Sequence, residues 1–497
     1  MPGAEERAIR TIVVLGGGIV GMSAALAFAR ALPRVKITLV DIPPDPSALC
    51  ERLSGSLPAI GRFHAAIGLN ELELVAGGIA IHRLGTRFDR WSAGGKPWYH
   101  VFGEHGLAAD AVPFHQLWLR AWKAKRALPF HLYSAAAVLA DANKFAHPET
   151  KAGSPLSTYH YALQLDPALY HERLVSQVAN QAIDRVTGEF AGAERRDDGG
   201  VAAVRLGDGR SLEADLFIDC GGPSAPLRSA LDRDFEDWSA WLPCDRLLIA
   251  SSPPAPAPSP CDFATASDEG WRWSARLPAR SLHGLAFSSE AGSEGALRRE
   301  LASESGAGEA ELIPIRRGRR PEPWKRNVLA LGDAAVAVDP LQFAGLHLAQ
   351  SGILRALELL PGRDCHPLEL REYNRRTEQE TIRVRDFLAL HYLRSGRKKW
   401  KAAASAEPPE SLAHTLDQFE ARGRLPFYEE ESFDRQSWLA VLLGMGVLPR
   451  RIDPVALRID PEKAASGMQR LAESLAQLPG RLPDYPDYLR RMREVRR

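Results

Sequence analysis

Residues 11–41 have the sequence TIVVLGGGIVGMSAALAFARALPRVKITLVD. The apolar run 12–15 predicts a strand buried on both faces of a parallel sheet, and the alanine-rich segment 22–32 predicts a helix. A second apolar strand over 35–40 ends at Asp41, about 20 residues beyond the last glycine. This order of strand, glycine-rich turn, helix, strand and acid predicts a Rossmann-type α/β fold that binds a dinucleotide.

The glycines of the turn form a G-x-G-x-x-G motif, and each has a mechanical role. The first permits the tight turn, the second lets backbone N–H groups approach a pyrophosphate, and the third lets helix and strand pack closely. The helix N-terminus presents its positive end to the phosphates. The acid would repel a 2′-phosphate, which favours FAD or NAD over NADP. A glycine-rich loop that binds nothing is the alternative. The expected cofactor contacts here are Gly16, Gly18, Ile19, Val20, Gly21 and Asp41.

Length, charge and cysteine content limit the classes of protein. A chain of 497 residues allows two or three structural units, and its net charge of +1 gives no electrostatic reason to expect nucleic acid or an anionic membrane as a partner. Apolar runs are too short to span a membrane, and residues 1–10 are too charged for a signal peptide. The 5 cysteines are scattered without zinc spacing. We therefore expect a cytoplasmic protein with reduced thiols and no metal.

Further segments with strand and glycine patterns predict more of the cofactor site. A helix and strand are expected over 167–186, and a hairpin over 201–222 ends in a buried strand and a glycine pair. A third buried strand at 327–331 precedes Gly-Asp and a helix at about 345–360. These segments add Val186, Gly221, Gly332, Asp333, Gly345 and Leu346 to the expected cofactor contacts.

From Val13 to about Met492 the chain resembles the flavin-dependent tryptophan halogenases, within the larger class of FAD monooxygenases. The resemblance rests on motifs dispersed in order along the chain. They are GGGIVG (16–21), LGTRFDRW (84–91), WYHVFG (98–103), VPFHQLWLR (112–120), LEADLFIDCGG (212–222), GWRW (270–273), DPLQFAG (339–345), RDFLALHY (385–392), GMGVLP (444–449) and DYPDYL (484–489).

The resemblance implies a box-like FAD-binding domain and a mainly helical, pyramid-like substrate domain. We place the first at 1–360, with inserted substrate-contacting segments at about 85–165 and 225–315, and the second at 361–497. In this family a separate reductase supplies reduced FAD, which with O₂ oxidises chloride to hypochlorous acid. The acid passes through an internal tunnel to the substrate, where a lysine holds the oxidant and a glutamate assists proton transfer.

Two expected catalytic positions depart from the family pattern. The lysine position is Arg83, and the glutamate position is Gln342. Arginine stays protonated near neutral pH, and a glutamine side chain cannot act as a base. General acid–base help contributes roughly 10²–10⁴-fold, so we expect halogenation by the usual route to be nearly abolished. A purely structural role for either residue is the alternative.

Other departures concern the substrate. Aligned without a gap, the family's W-x-W-x-I-P is WRWSAR (271–276), and its G-E-x-T segment is LSGS (53–56). Phe433 and Phe427 stand where the resemblance places an acid and a tyrosine that hold free tryptophan, which counts against that substrate. The acidic run 429–431 is expected to be solvated. The basic run 316–320 is expected to be a solvated turn, with contact to FAD or to a partner reductase as the alternative. The Pro-rich segment 251–260 is expected to be a surface excursion or a binding segment. The expected substrate contacts are His100, Phe102, Trp271, Trp273, Arg276, Phe343 and Trp438.

These patterns favour an FAD-dependent monooxygenase-type oxidoreductase that oxidises an aromatic secondary metabolite, either a small molecule or a carrier-bound one. A separate flavin reductase is the expected partner, with a homodimer left open. One alternative is a true halogenase in which Arg83 polarises hypohalous acid by hydrogen bonding. The other is a catalytically silent protein that binds FAD or a partner.

Overall fold

A computed structural model describes residues 8–92, 94–290, 292–395, 400 and 407–495. Its strands are β1 Thr11–Leu15, β2 Lys36–Asp41, β3 Ala80–Arg83, β4 Gly85–Asp89, β5 Trp98–Val101, β6 Ala162–Leu165, β7 Ile183–Thr187, β8 Phe190–Arg195, β9 Val201–Leu206, β10 Ser211–Glu213, β11 Leu216–Asp219, β12 Glu236–Asp237, β13 Arg246–Ser252, β14 Cys261–Ala266, β15 Gly270–Arg276, β16 Ser281–Phe287, β17 Glu311–Pro314, β18 Gly318–Arg319, β19 Trp324–Lys325, β20 Val328–Ala330 and β21 Val336–Ala337.

The helices that follow the same chain order are α1 Ile19–Ala31, α2 Ile60–Ile67, α3 Glu71–Ala76, α4 Phe114–Lys123, α5 Ala135–Asp141, α6 Pro167–Ala179, α7 Glu294–Ser305, α8 Ala344–Glu358, α9 Pro367–Leu393, α10 Glu410–Arg422, α11 Arg435–Gly444, α12 Pro461–Ala476 and α13 Tyr485–Val495. None of the helices described is long and apolar enough to cross a membrane.

The chain divides into two compact units, each built from three separate segments. The first contains residues 1–74, 165–239 and 313–382, and the second contains 75–164, 240–312 and 383–497. The predicted division at residue 360 differs from this arrangement. The two segments that we expected as insertions fall largely in the second unit, because they supply strands of its sheet and not of the dinucleotide-binding sheet.

The first unit contains the predicted dinucleotide-binding sheet. Its order is β19-β20-β11-β1-β2-β7, with β1 parallel to both β11 and β2. The apolar residues of β1 are buried because the strand has neighbours on both sides and α1 packs against it. The α/β fold class and the strand–helix–strand order are confirmed, and the helix begins at Ile19, directly after the glycines.

The second unit contains a seven-stranded sheet of order β17-β13-β16-β15-β14-β4-β5, whose edge strand β17 straddles the boundary between the units. Most of its pairings are antiparallel, but β14 and β4 pair in parallel. A separate two-stranded pair joins β3 to β6. The helices α4, α5, α7, α10, α11, α12 and α13 also belong to this unit.

Two local predictions need correction. The amphipathic pattern of residues 60–76 predicts one helix, but the structure has two, because Gly68 at φ 76° ends the first one in the left-handed conformation. The basic run 316–320 is not a solvated turn. Arg319 and Arg320 are 6% and 3% exposed, since Arg319 pairs with Glu236 and Glu378 while Arg320 donates to the carbonyl of Ala334.

Candidate active site

The glycine-rich turn brings backbone segments too close together for side chains. A Cβ on Gly21 would lie 1.9 Å from the carbonyl oxygen of Gly16, and a Cβ on Gly17 would lie 1.8 Å from Oδ1 of Asp41. Gly16 itself has φ +134° and would meet the carbonyl oxygen of Cys220 at 2.7 Å. The carboxyl ends of β1, β2 and β11 therefore converge here, as the sequence predicts.

The N-terminus of α1 carries an anionic partner. The amides of Ile19 and Val20 donate to the carboxylate of Glu51, at 2.5 and 3.2 Å. Burial raises the pKa of Glu51, and these two N–H groups oppose the rise. This is the end of the helix that attracts negative charge, so its amides are already directed at an anion.

The acid at the end of β2 has a cationic neighbour. Oδ2 of Asp41 accepts from Nε of Arg185 at 2.8 Å. Arg185 lies on β7, where Val186 pairs with Val40. Val186 thus lies beside the end of β2. Gly221 directly follows Cys220, whose carbonyl oxygen lies close to Gly16.

Gly332 and Asp333 form a short 3₁₀ turn directly after β20. Gly332 has φ +59° and its Cβ would lie 3.0 Å from the side chain of Val20, which places this turn against α1. Oδ2 of Asp333 accepts from the amide of Cys50 at 3.0 Å, and burial raises the pKa of Asp333 to about 7.

The DPLQFAG segment is a strained turn leading into α8. Gln342 and Phe343 adopt φ of +63° and +58°, and such left-handed conformations in non-glycine residues mark sites that the surrounding structure imposes. The amide of Leu341 donates to Asp339 at 2.9 Å. Gly55 fits under Phe343, because a Cβ there would lie 2.4 Å from the ring. The segments 53–56 and 339–345, which both differ from the family pattern, are therefore in contact.

The residues of the first unit fit a bound FAD. The cradle of glycines, the positive end of α1 and the acid that ends β2 provide the close backbone approach and the charge pattern that a dinucleotide needs. Gly345 and Leu346 begin α8, and a Cβ on Gly345 would lie 3.3 Å from Sγ of Cys50. The predicted contacts Gly16, Gly18, Ile19, Val20, Gly21, Asp41, Val186, Gly221, Gly332, Asp333, Gly345 and Leu346 all belong to this unit.

Arg83 lies at the end of β3 in the second unit and is completely buried. Its Nε donates to Oδ2 of Asp262 on β14, and its Nη2 donates to Oγ1 of Thr86 at 2.8 Å. Gln164 donates to the other oxygen of the Asp262 carboxylate at 2.5 Å. Burial raises the pKa of Asp262, and the adjacent guanidinium opposes that rise. Arg83 is neither a surface arginine nor a mobile one.

The guanidinium of Arg83 lies 5.1 Å from the centre of the Phe102 ring, and Phe102 leads into an aromatic cluster. Its ring lies 5.7 Å from that of His100, and His100 lies 5.5 Å from Phe387. Phe387 stacks on Phe433 at 4.0 Å and meets Trp438 edge-on at 5.1 Å. The structure thus groups His100, Phe102 and Trp438, which the resemblance predicts to contact substrate.

Trp438 also has polar contacts that the sequence did not predict. Its Nε1 donates to Glu431 at 3.1 Å, and Arg383 donates to the same carboxylate at 2.5 Å while lying 4.4 Å from the Trp438 ring. Burial raises the pKa of Glu431. The expectation of a solvated acidic run is therefore wrong for Glu431, because Arg383 and the indole draw it inward. Phe427 is 92% exposed.

An apolar cavity of about 360 Å³ opens beside β5, the strand that carries His100. Its lining is rich in aromatic rings, including Trp98, Tyr99, Trp118, Trp122, Phe130 and His131. Cavities of this size and lining accommodate small aromatic molecules.

The three predicted contacts on β15 have different surroundings. Trp271 donates to the hydroxyl of Tyr392 at 2.9 Å and is a core residue, 1% exposed. Trp273 packs on Gly284, and Arg276 lies over Phe263 at 4.8 Å. Phe343 and Gln342 belong to the first unit, with the cofactor-binding segments.

Sequence reasoning missed several residues of these sites. Glu51, Arg185 and Asp262 act through partners that are distant in sequence, 32, 144 and 179 positions away. No motif marks such a carboxylate or guanidinium. A pattern search could have paired Arg83 with an acid only if the neighbouring strands had been known.

The tryptophan halogenase family matches residues 11–461. The chain belongs to the tryptophan halogenase family. A flavin-dependent halogenase from Brevundimonas sp. BAL3 is 33% identical and superimposes with a TM-score of 0.90, covering 97% of this chain and 99% of that one. One from Xanthomonas campestris is 29% identical, with a TM-score of 0.91 and coverage of 98% and 99%. A tryptophan 6-halogenase from Streptomyces toxytricini is 26% identical over 97% of this chain and 98% of its own.

Membership of the tryptophan halogenase family confirms the predicted fold, the predicted FAD cofactor and the prediction of a flavin-dependent enzyme. It favours the halogenase alternative over the general monooxygenase. We placed the monooxygenase first because Arg83 and Gln342 differ from the family pattern.

Proposed function

We propose that this member of the tryptophan halogenase family is a flavin-dependent halogenase of an aromatic compound other than free tryptophan. When FAD is bound and has been reduced by a separate reductase, its reaction with O₂ would supply the oxidising equivalents. The overall reaction replaces an aromatic hydrogen by halogen, consuming one halide ion, one proton and one O₂, oxidising FADH₂ to FAD and releasing two molecules of water.

The observation that carries this proposal is the aromatic cluster next to Arg83. His100, Phe102 and Trp438 present ring faces and edges that suit a planar substrate. Phe433 stands at the position where an acid would hold an amino group, and it stacks on Phe387 at 4.0 Å. A hydrophobic wall at that point favours an indole or phenol without a charged amine.

In this proposal Arg83 acts as a fixed hydrogen-bond donor toward the halogen oxidant. A guanidinium cannot give up its proton near neutral pH, so it polarises an oxygen without taking part in proton transfer. Its hydrogen bonds to Asp262 and Thr86 hold the group in one orientation, and preorganised donors of this kind stabilise developing charge.

The experiment supplies reduced FAD, O₂ and bromide or chloride to the purified protein with a panel of indoles and phenols, and identifies products by mass spectrometry. Catalase and a methionine scavenger are present, so that halogenation by released oxidant is suppressed. We expect a halogenated product from a neutral indole or phenol and none from free tryptophan. Halogenation of free tryptophan in preference to the panel would overturn the substrate assignment.

The Arg83–Asp262 ion pair favours a second candidate, oxygenation of the same aromatic class without halide. A cation that is already paired with a buried carboxylate binds an anion or an oxidant more weakly than an unpaired amine does. The same assay with ¹⁸O₂ separates the two candidates. A product that carries one ¹⁸O and forms equally well without halide would establish oxygenation and overturn the halogenase proposal.

A further inference from the structure

The seven-stranded sheet of the second unit carries a cleft of about 600 Å³ on one face. The walls of this cleft, which we call the sheet cleft, are α7 and the Pro-rich residues 252–256. The proposed reaction uses none of this surface. Its volume falls within the range of small-molecule sites in proteins.

Strand register lines up polar side chains on the floor of the sheet cleft. Ser274 on β15 is paired with His283 on β16, and Arg276 is paired with Ser281. Ser281 in turn pairs with Ser252 on β13. Residues paired in this way point to the same face of a sheet, so an arginine, a histidine and three hydroxyls converge on one floor.

Among the described residues, Arg276 is the cation of the sheet cleft that keeps its charge free of an acidic partner. Arg272 forms ion pairs with both Glu304 and Glu300, so its own charge is more than compensated. Arg276 lies over the ring of Phe263 at 4.8 Å. In the part of the chain that the structure describes, no carboxylate lies within ion-pair distance of Arg276. Stacking uses one face of a guanidinium and leaves its N–H edge directed outward.

The hydroxyls and the histidine complement that charge. Oγ of Ser252 and Nε2 of His283 lie 2.9 Å apart, and the amide of Ala255 donates to Oγ of Ser281 at 3.2 Å. Ser281 therefore keeps its own O–H as a donor. Burial and then the charge of Arg276 lower the pKa of His283, so the ring is neutral at pH 7 and Arg276 supplies the charge.

We propose that the sheet cleft is a second ligand site, which binds a small organic oxyanion, an aromatic carboxylate or phosphate monoester, with Arg276 as its anchor. The oxyanion accepts from Arg276 and from the O–H groups of Ser274 and Ser281. The ring of the ligand lies against Pro253 and Pro256, the apolar part of the wall. The proposal is independent of the halogenase proposal, since it concerns binding alone.

The test is isothermal titration of the full chain, without FAD or halide, with benzoate, phenyl phosphate and the neutral analogue benzyl alcohol. The variants are Arg276→Gln, which removes the anchor, and Ser274→Trp, which fills the floor. Arg299→Gln is the matched control, because Arg299 is an exposed arginine of α7 outside the cleft lining.

We expect one-to-one saturable binding of benzoate or phenyl phosphate, and the tighter of the two identifies the oxyanion. Arg276→Gln should raise Kd about tenfold or more, as expected for loss of a hydrogen bond to a charged group. Ser274→Trp should abolish binding and Arg299→Gln should leave it unchanged. The proposal would be overturned if neither anion saturated the protein up to about 10 mM. It would also be overturned if benzyl alcohol bound as tightly as the anions, or if Arg276→Gln left the affinity for the anions unchanged.

Discussion

Arg83 and Asp262 show how one buried residue constrains another. A buried guanidinium needs an anion, and Asp262 meets that need within a network that includes Thr86 and Gln164. Removing one partner of such a pair leaves an uncompensated buried charge, which lowers the free energy of unfolding by about 3–5 kcal/mol. The pair therefore fixes the position of the cation.

Arg83→Lys should keep a positive charge beside Asp262 but lose the hydrogen bond that Nη2 makes to Thr86. Denaturant unfolding should show a loss of about 1–3 kcal/mol. A buried lysine can titrate where an arginine cannot, so the rate of product formation should become pH-dependent in the variant. A pH–rate profile with the same shape as that of the wild type would contradict this expectation.

The buried carboxyl group of Asp333 should make the free energy of unfolding depend on pH. Burial raises its folded pKa to about 7, whereas an unfolded aspartate ionises near 3.9. Between about pH 4 and pH 7 the unfolded chain loses this proton while the folded protein keeps it. The free energy of unfolding therefore falls as pH rises, by on the order of 4 kcal/mol.

Asp333→Asn removes this ionisation, so its stability relative to the wild type should rise from pH 4 to pH 7 and level off above. Denaturant unfolding of both proteins without FAD, at a series of pH values, measures the difference. A constant difference across that range would show that Asp333 does not titrate as its burial implies.

At the scale of elements, the DPLQFAG turn and the segment 53–56 form one packed unit. Phe343 is held in a left-handed conformation over Gly55, where a Cβ would lie 2.4 Å from the ring. Strained backbone of this kind persists because surrounding packing imposes it. The turn leads into α8, whose first residues are predicted cofactor contacts.

Gly55→Ala should therefore displace Phe343 and destabilise the protein by about 1–3 kcal/mol, the usual effect of overpacking. FAD affinity should fall with it, measured by flavin fluorescence. Gly61→Ala is the control, because Gly61 lies in α2 with open space around it, and alanine there should stabilise the helix by about 0.5–1 kcal/mol. Equal effects of the two substitutions would contradict the packing account.

Elements with a local cause could be predicted from the sequence. β1, α1 and β2 follow from apolar runs, glycines and an acid within one stretch of about 30 residues. The left-handed turn at Gln342 and Phe343 could not be predicted, because neither residue type favours that conformation and the ring of Phe343 packs over Gly55, which is distant in sequence. The basic run at 316–320 was misjudged for the same reason, since Glu236 and Glu378 are its distant partners.

At the scale of the whole molecule, both compact units are assembled from three segments each. A boundary drawn along the sequence could not describe this, because strands of one sheet come from residues 176 positions apart, as in the pairing of Gly85 on β4 with Cys261 on β14. The same pairing brings Asp262 beside Arg83. The family and the cofactor were predictable from motifs, whereas the ion pair depends on the assembled sheet.

The most direct test of the account is the halogenation rate of the double variant Arg83→Gln with Asp262→Asn. Both charges are removed together and similar shapes remain, so folding should be retained, and thermal unfolding verifies it. The control variant is Arg228→Gln with Asp232→Asn, a largely buried pair at 3.1 Å in the first unit. We predict that bromination of a neutral indole falls about 100-fold or more in the Arg83 variant and stays near the wild-type rate in the control. Bromination by the Arg83 variant at the wild-type rate would contradict the account.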